Sequence, residues 1–174
     1  MPVSFSNDSN DIREKLISRV LNFNPKDLYD RINDLGCLDP YLRHPKVSLS
    51  IIFPKQGRFC SCGCGIELKG RQTRWSNKQC SDFAVNIFNI INGRVETIKF
   101  FRSKIIGGLK CEKCGESEHF FAHDLDHIIP VAHGGGGGWI SNYQILCKKC
   151  HREKTNNDFG FKLKDKQQLK MHND

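Results

Sequence analysis

Two cysteine pairs, Cys111-x-x-Cys114 and Cys147-x-x-Cys150, carry the strongest chemical signal in the sequence. Each pair can bring two sulfurs to one side of a tight turn, and Gly115 follows the first where the turn needs freedom. Four thiolates from two such knuckles suit tetrahedral zinc. They leave no open position for water, so the expected zinc is structural, and any reaction must be carried by residues between the knuckles or just beyond.

That interval contains Leu125-Asp126-His127-Ile128-Ile129-Pro130, in which apolar residues flank an Asp-His pair as in a strand facing a site. His133 follows, then the run Gly134–Gly138, expected to be a flexible loop, and then Trp139–Leu146 leading into the second knuckle. His151 comes directly after Cys150, with Arg152, Lys154 and Thr155 behind it. If 148–157 is helical, Cys147 and Cys150 share one face and His151 is turned about 100° from Cys150. Zinc can then pin the helix while His151 faces the Asp126-His127 strand. A carboxylate and one imidazole can hold a divalent ion, leaving the second imidazole to act as a base. His133 is expected to be exposed, and His119 and His123 are given no role.

In combination these residues resemble the HNH endonucleases, which have the ββα-metal fold. The matching elements are Asp126-His127-Ile128-x-Pro130, the glycine loop, Asn142-x-x-x-Leu146-Cys147-x-x-Cys150-His151 and Lys154-Thr155. Cys111 and Cys114 match the zinc-bearing branch of that family, and the likeness covers about residues 108–157. The resemblance implies that His127 is the general base that activates water. It implies that Asp126 and His151 bind one catalytic ion, Mg2+ or Mn2+, which contacts the scissile phosphate and stabilises the leaving 3′ oxygen. Asn142 would tie down the loop so that His127 is oriented, and Arg152 and Lys154 would be phosphate contacts by position. The alternative assignment makes His127 a metal ligand with Asp126 orienting it.

A second cluster, Cys60-x-Cys62-x-Cys64 with Cys80, reads as another zinc site, with Gly63 and Gly65 loosening the turn. The stretch resembles the small zinc fingers that accompany bacterial HNH nucleases. Those close with two cysteines at a spacing of four, and here Ser76 stands where the first would fall. The extra cysteine of the triplet can supply the missing ligand. Arg71 and Arg74, with Trp75 and Lys78, are candidate DNA contacts around this cluster. Cys37 is a lone thiol, expected to be a small core residue.

The elements that must position these groups follow from periodicity. Ile12, Leu16 and Val20 repeat at four, predicting an amphipathic helix over 11–21. Asn24-Pro25 opens a second helix, lined by Leu28, Ile32 and Leu35 and stopped by Gly36. Val47, Leu49, Ile51 and Phe53 alternate with polar residues and predict a short strand. A helix is expected over 81–92, with Phe83, Ile87 and Ile90 on one side and Gly93 closing it, and in Arg94–Ile106 the spacing of Val95, Ile98, Phe101 or Arg102, and Ile105 fits a helix better than a strand. The predicted organisation is a helical region with a short strand (1–56), a zinc-finger-like and helical segment that is a candidate for DNA binding (57–108), a nuclease module (109–160) and a basic tail (161–174). The fold class is α+β, a small zinc-stapled ββα-metal module preceded by a mainly helical region with a second zinc-finger-like element.

Composition limits the partners. The chain of 174 residues carries a formal charge of +8 and only 38% hydrophobic residues, so metal staples should supplement a modest core. The charge falls in three groups: Arg58 to Lys78, Lys99 to Lys110, and Lys162, Lys164, Lys166 and Lys170. Such a field favours polyanions, and duplex DNA is the expected partner. No charged-then-apolar segment opens the chain and no run approaches ~18 apolar residues, so a cytoplasmic, reduced setting with no membrane is expected. A homodimer is one option for assembly. Restriction, intron homing and phage packaging all stay open.

Overall fold

The computed structural model describes residues 7–36, 47–117, 123–137 and 139–160. Cys37, His119, Gly138 and the basic tail with its four lysines lie outside the described residues.

Helix α1 spans Asn7–Leu21 and α2 spans Lys26–Asp34. Pro25 is the N-cap of α2 rather than its first residue, its carbonyl accepting from the Tyr29 N–H at 2.9 Å, and Asn24 Oδ1 just before it accepts from the Lys26 N–H at 3.0 Å. The predicted strand at 47–53 is instead α3, a single turn over Leu49–Ile52. Alternation in sequence gave no partner edge, and Ile52 breaks it. The carbonyls left at the end of this turn are satisfied by Arg74, whose guanidinium donates to Phe53 O at 2.7 Å and Leu49 O at 3.3 Å.

Helices α4 (Lys78–Ile91) and α5 (Val95–Ile105) follow. Asn77 caps α4 by accepting from the Cys80 N–H at 2.9 Å. On α4 the residues Phe83, Ile87 and Ile90 are buried as their spacing predicts. On α5 only the middle of the expected stripe, Ile98 and Phe101, is buried, while Val95 and Ile105 at its ends are exposed.

Two antiparallel strands, β1 (His123–His127) and β2 (Tyr143–Cys147), form the sheet, with Asp126 opposite Gln144 and His127 opposite Tyr143. Helix α6 (Lys148–Phe159) leaves β2 directly and ends at Gly160, whose left-handed φ of 67° suits glycine. A helical body with a β-β-α unit at its end is the result.

One core runs through both parts. Ile17 and Val20 of α1, Leu28 and Ile32 of α2, and Phe83, Ile87, Ile90 and Ile98 pack together with Ile140 and Tyr143 from the approach to β2 and β2 itself. The sheet is therefore held from behind by the helices. Arg102 of α5 reinforces this, its Nε donating at 2.9 Å to Glu112 beside the first Cys-x-x-Cys pair. The side chains of this pair are only 15% and 18% exposed, so it is shielded in a way that surface pairs are not.

Candidate functional site: a cysteine-pinned cavity at the end of the sheet

The site starts from the second cysteine group. Cys111 begins a turn in which Gly115 N–H donates to Cys111 O and Cys111 N–H donates to Glu116 O, both at 2.8 Å, with Gly115 at φ 78°. Glu112 N–H donates to Ile145 O at 2.8 Å, fastening the turn to β2. Cys147 ends β2 and Cys150 lies in the first turn of α6, so the two pairs meet. The four sulfurs all lie within 4.8 Å of one another, and Cys114 and Cys147 are 3.8 Å apart. Sulfurs tetrahedrally placed around zinc at about 2.3 Å are about 3.8 Å from each other, so the group fits zinc. Burial pushes the Cys111 thiol up, but the backbone N–H groups of Cys147, Cys114 and Lys113 outweigh it and bring it down to about 6. Burial and the neighbouring sulfurs push the Cys150 thiol up instead, so the four thiols do not ionise alike.

Cys60, Cys62, Cys64 and Cys80 form the second such group, again within 4.8 Å. Cys64 and Cys80 are 3.8 Å apart, so the extra cysteine of the triplet does complete a set of four. Ser76 is a neighbour of the group: its N–H donates to Cys60 Sγ at 3.3 Å and its hydroxyl lies 3.4 Å from Cys80 Sγ. Both groups can hold zinc.

Beyond the Cys111 group, a cavity of about 610 Å³ wraps the end of β1 and is lined by Asp126, His127, Pro130, His151, Thr155 and Phe159 among others. Strand and helix thus bring together the three residues that sequence placed there. His151 Nε2 lies 3.7 Å from Asp126 Oδ1. Each of these two groups has its other polar atom engaged. His151 Nδ1 lies 2.9 Å from Asp124 Oδ2, while Asp126 Oδ2 accepts from Gln144 Nε2 at 3.1 Å and pairs with Lys154 Nζ at 3.2 Å. One carboxylate oxygen and one imidazole nitrogen are therefore left facing each other. Two ligand atoms about 2.1 Å from a shared ion lie roughly 3 to 4.2 Å apart, so the pair fits one hard divalent cation.

His127 is nearly buried, 8% exposed, and its ring lies against Tyr143 with centroids 4.5 Å apart. The loop after β1 is fixed by Asn142. Its Oδ1 accepts from Ile129 N–H at 2.9 Å, and its Nδ2 donates to Gly135 O at 2.8 Å and to Ile129 O at 3.3 Å. Its backbone carbonyl accepts from Ile128 N–H at 2.8 Å. The glycine run, expected to be a flexible loop, is instead clamped over its described part. Gly135 is buried, donates to Pro130 O at 3.0 Å, and a Cβ there would sit 1.8 Å from Ile129 O. Glycine is required for close approach rather than for flexibility.

The basic residues divide. Arg152 and Arg71 are exposed. Lys154, expected on phosphate, has its ammonium set between Asp126 and Asp158 and is only 17% exposed. Arg74, expected on DNA, is turned inward onto the α3 carbonyls. Lys99 is buried and donates to His123 O at 2.6 Å, and Lys78 pairs with Asp82 at 2.6 Å. Arg74, Lys99 and Lys154 are thereby committed within the fold, whereas the Lys78 pair lies on the surface. His133 is exposed as expected, its ring 5.8 Å from that of Phe159 at the mouth of the cavity. Sequence reading missed Asp124, Gln144 and Arg19. Asp124 had a findable signal, since a strand with period two puts residues 124 and 126 on one face.

Residues 111–157 match the family model for HNH endonuclease. A segment of 37 residues, 21% of the chain, is 51% identical to the DNA annealing helicase and endonuclease ZRANB3 of Bos taurus. Another of 53 residues, 30% of the chain, is 34% identical to the CRISPR-associated endonuclease Cas9 of Actinomyces naeslundii. These matches span 3% and 5% of the two relatives. No solved structure gives a significant match. Among the described residues no helix is long and apolar enough to cross a membrane.

Proposed function

We propose, on the premise that residues 111–157 are an HNH endonuclease domain, that this chain is a metal-dependent endonuclease that hydrolyses DNA phosphodiester bonds. The observation that carries this reading is the 3.7 Å approach of Asp126 Oδ1 and His151 Nε2 in a cavity also lined by His127. Asp126 and His151 would hold one Mg2+ or Mn2+, and both cysteine groups would hold structural zinc. A divalent ion at that position supplies charge neutralisation on the scissile phosphate and on the departing 3′ oxygen.

The residues of the chain supply the rest. His127 accepts the proton of the attacking water, whose oxygen bonds to phosphorus as the bond to the 3′ oxygen breaks; solvent protonates the departing oxyanion. A neutral imidazole has the free nitrogen lone pair that this needs. Asn142 holds the 128–135 loop that carries the cavity wall, and Tyr143 backs the imidazole of His127. Lys154 balances Asp126 and Asp158 within the site, which gives it a use other than phosphate contact. Arg152 and Arg71 are the exposed cations proposed to touch the DNA backbone. DNA is favoured because the bovine relative is named for action on it.

The test is incubation of the purified chain with supercoiled plasmid, single-stranded DNA and RNA in Mg2+, Mn2+ or EDTA. Divalent-dependent nicking of plasmid is expected. Tight DNA binding with no cleavage under either ion would instead indicate a non-catalytic adaptor, and preferential cleavage of RNA would indicate a ribonuclease or toxin.

A further inference from the structure

Asp124 is an acidic residue of the site to which neither the motifs nor the resemblance gives a role. It precedes Asp126 by two in β1, so both carboxylates leave the strand on the same face. His151 lies between them, with Nδ1 2.9 Å from Asp124 Oδ2 and Nε2 3.7 Å from Asp126 Oδ1. An ionised carboxylate can only accept, so the hydrogen of the first contact is on Nδ1. In a neutral imidazole Nε2 then carries the lone pair, and it points toward Asp126.

A second element stands behind Asp124. Lys99 of α5, outside the stretch that matches the endonuclease family, is buried with its ammonium on the carbonyl of His123, the residue before Asp124. Lys99 thus holds the backbone one residue before Asp124, and its charge and that of Asp124 attract. The Asp124 and His151 side chains are 40% and 35% exposed, and a polar contact so open contributes little to stability. Orientation is the use left for it.

We propose that Asp124 is a positioning residue: its carboxylate fixes His151 as the Nδ1–H tautomer and so presents Nε2 to the divalent ion, with Lys99 holding the adjoining strand backbone from the helical body. This rests on the reading above in which His151 holds that ion. The test uses the full chain, wild type, Asp124→Ala, Asp124→Asn and Asp126→Ala, with Mn2+ affinity from calorimetry and the His151 tautomer from nitrogen-15 NMR of the metal-free protein. Asp124→Ala is expected to lose the Nδ1–H preference and about 10- to 100-fold in Mn2+ affinity, with zinc content and melting temperature unchanged. Asp124→Asn keeps an acceptor oxygen and should recover most of both. If Asp126→Ala weakens Mn2+ binding and Asp124→Ala does not, the role of Asp124 is overturned. If Asp124→Ala and Asp124→Asn both abolish binding as fully as Asp126→Ala, Asp124 is a direct ligand and the proposal is again overturned. Equal binding by wild type and Asp126→Ala would overturn the divalent-site reading itself, and the role of Asp124 with it.

Discussion

The two cysteine groups offer the same set of four thiols for different ends. The Cys60–Cys80 group is set into the helical body, with Cys60, Cys62 and Cys80 part of the main core. Arg19 of α1 reaches it from far along the chain, donating to Cys62 Sγ at 3.1 Å and to the Cys62 carbonyl at 3.3 Å, with its guanidinium 3.9 Å above the Phe83 ring. The Cys111–Cys150 group packs instead in a small cluster of its own with Leu146, and its last ligand is followed directly by His151. One group fastens helices to each other. The other fixes the start of α6, and with it the direction of a residue in the cavity. What two like sets of thiols can do is thus set by which elements the cysteines sit on.

Breaking the second group should have the largest effect of this comparison. Structural zinc contributes on the order of 10 kcal/mol to the small domains it staples, so Cys150→Ser should release one zinc per chain and abolish cleavage. The helical body should stay folded, as measured by circular dichroism and by the zinc retained. Next in size is Gly135→Ala, which leaves both groups intact. Its methyl would meet the Ile129 carbonyl at 1.8 Å, so the loop must shift and the bond from Asn142 to Gly135 O is lost. A shift of about 1 Å near the chemistry can lower the rate about 100-fold, and zinc content should not change.

The first group should respond to Arg19→Gln with zinc release about tenfold faster in a chelator competition, while zinc at the second group leaves at the wild-type rate. Loss from both groups together would show that they are not separate devices. The smallest effect is expected at Arg71→Ala, where weaker DNA binding should come with a salt dependence reduced by about one phosphate contact and an unchanged cleavage rate at saturation.

What sequence made legible follows chemistry at short range. The Cys-x-x-Cys spacing, the Asp126-His127 pair and the 100° turn from Cys150 to His151 are properties of one or two turns of chain, and each corresponds to what the fold displays. The α4 face was legible for the same reason. The short strand at 47–53 was misread because alternation says nothing about whether a partner edge exists. The basic groups could not be sorted from sequence, where charge is counted without partners: Arg74, Lys99 and Lys154 meet carbonyls and carboxylates brought from distant segments. Arg19 has no local signal at all, since its contact to Cys62 depends on how α1 packs. The glycine run looked flexible because a sequence of glycines does not reveal which of them is pressed against a carbonyl.

Nicking of supercoiled plasmid by wild type and His127→Ala in Mn2+, each checked for divalent and zinc content, tests the central claim most directly. Removal of a general base should lower the cleavage rate by about 10²- to 10⁴-fold while metal content stays the same. Cleavage by His127→Ala at the wild-type rate would contradict the account.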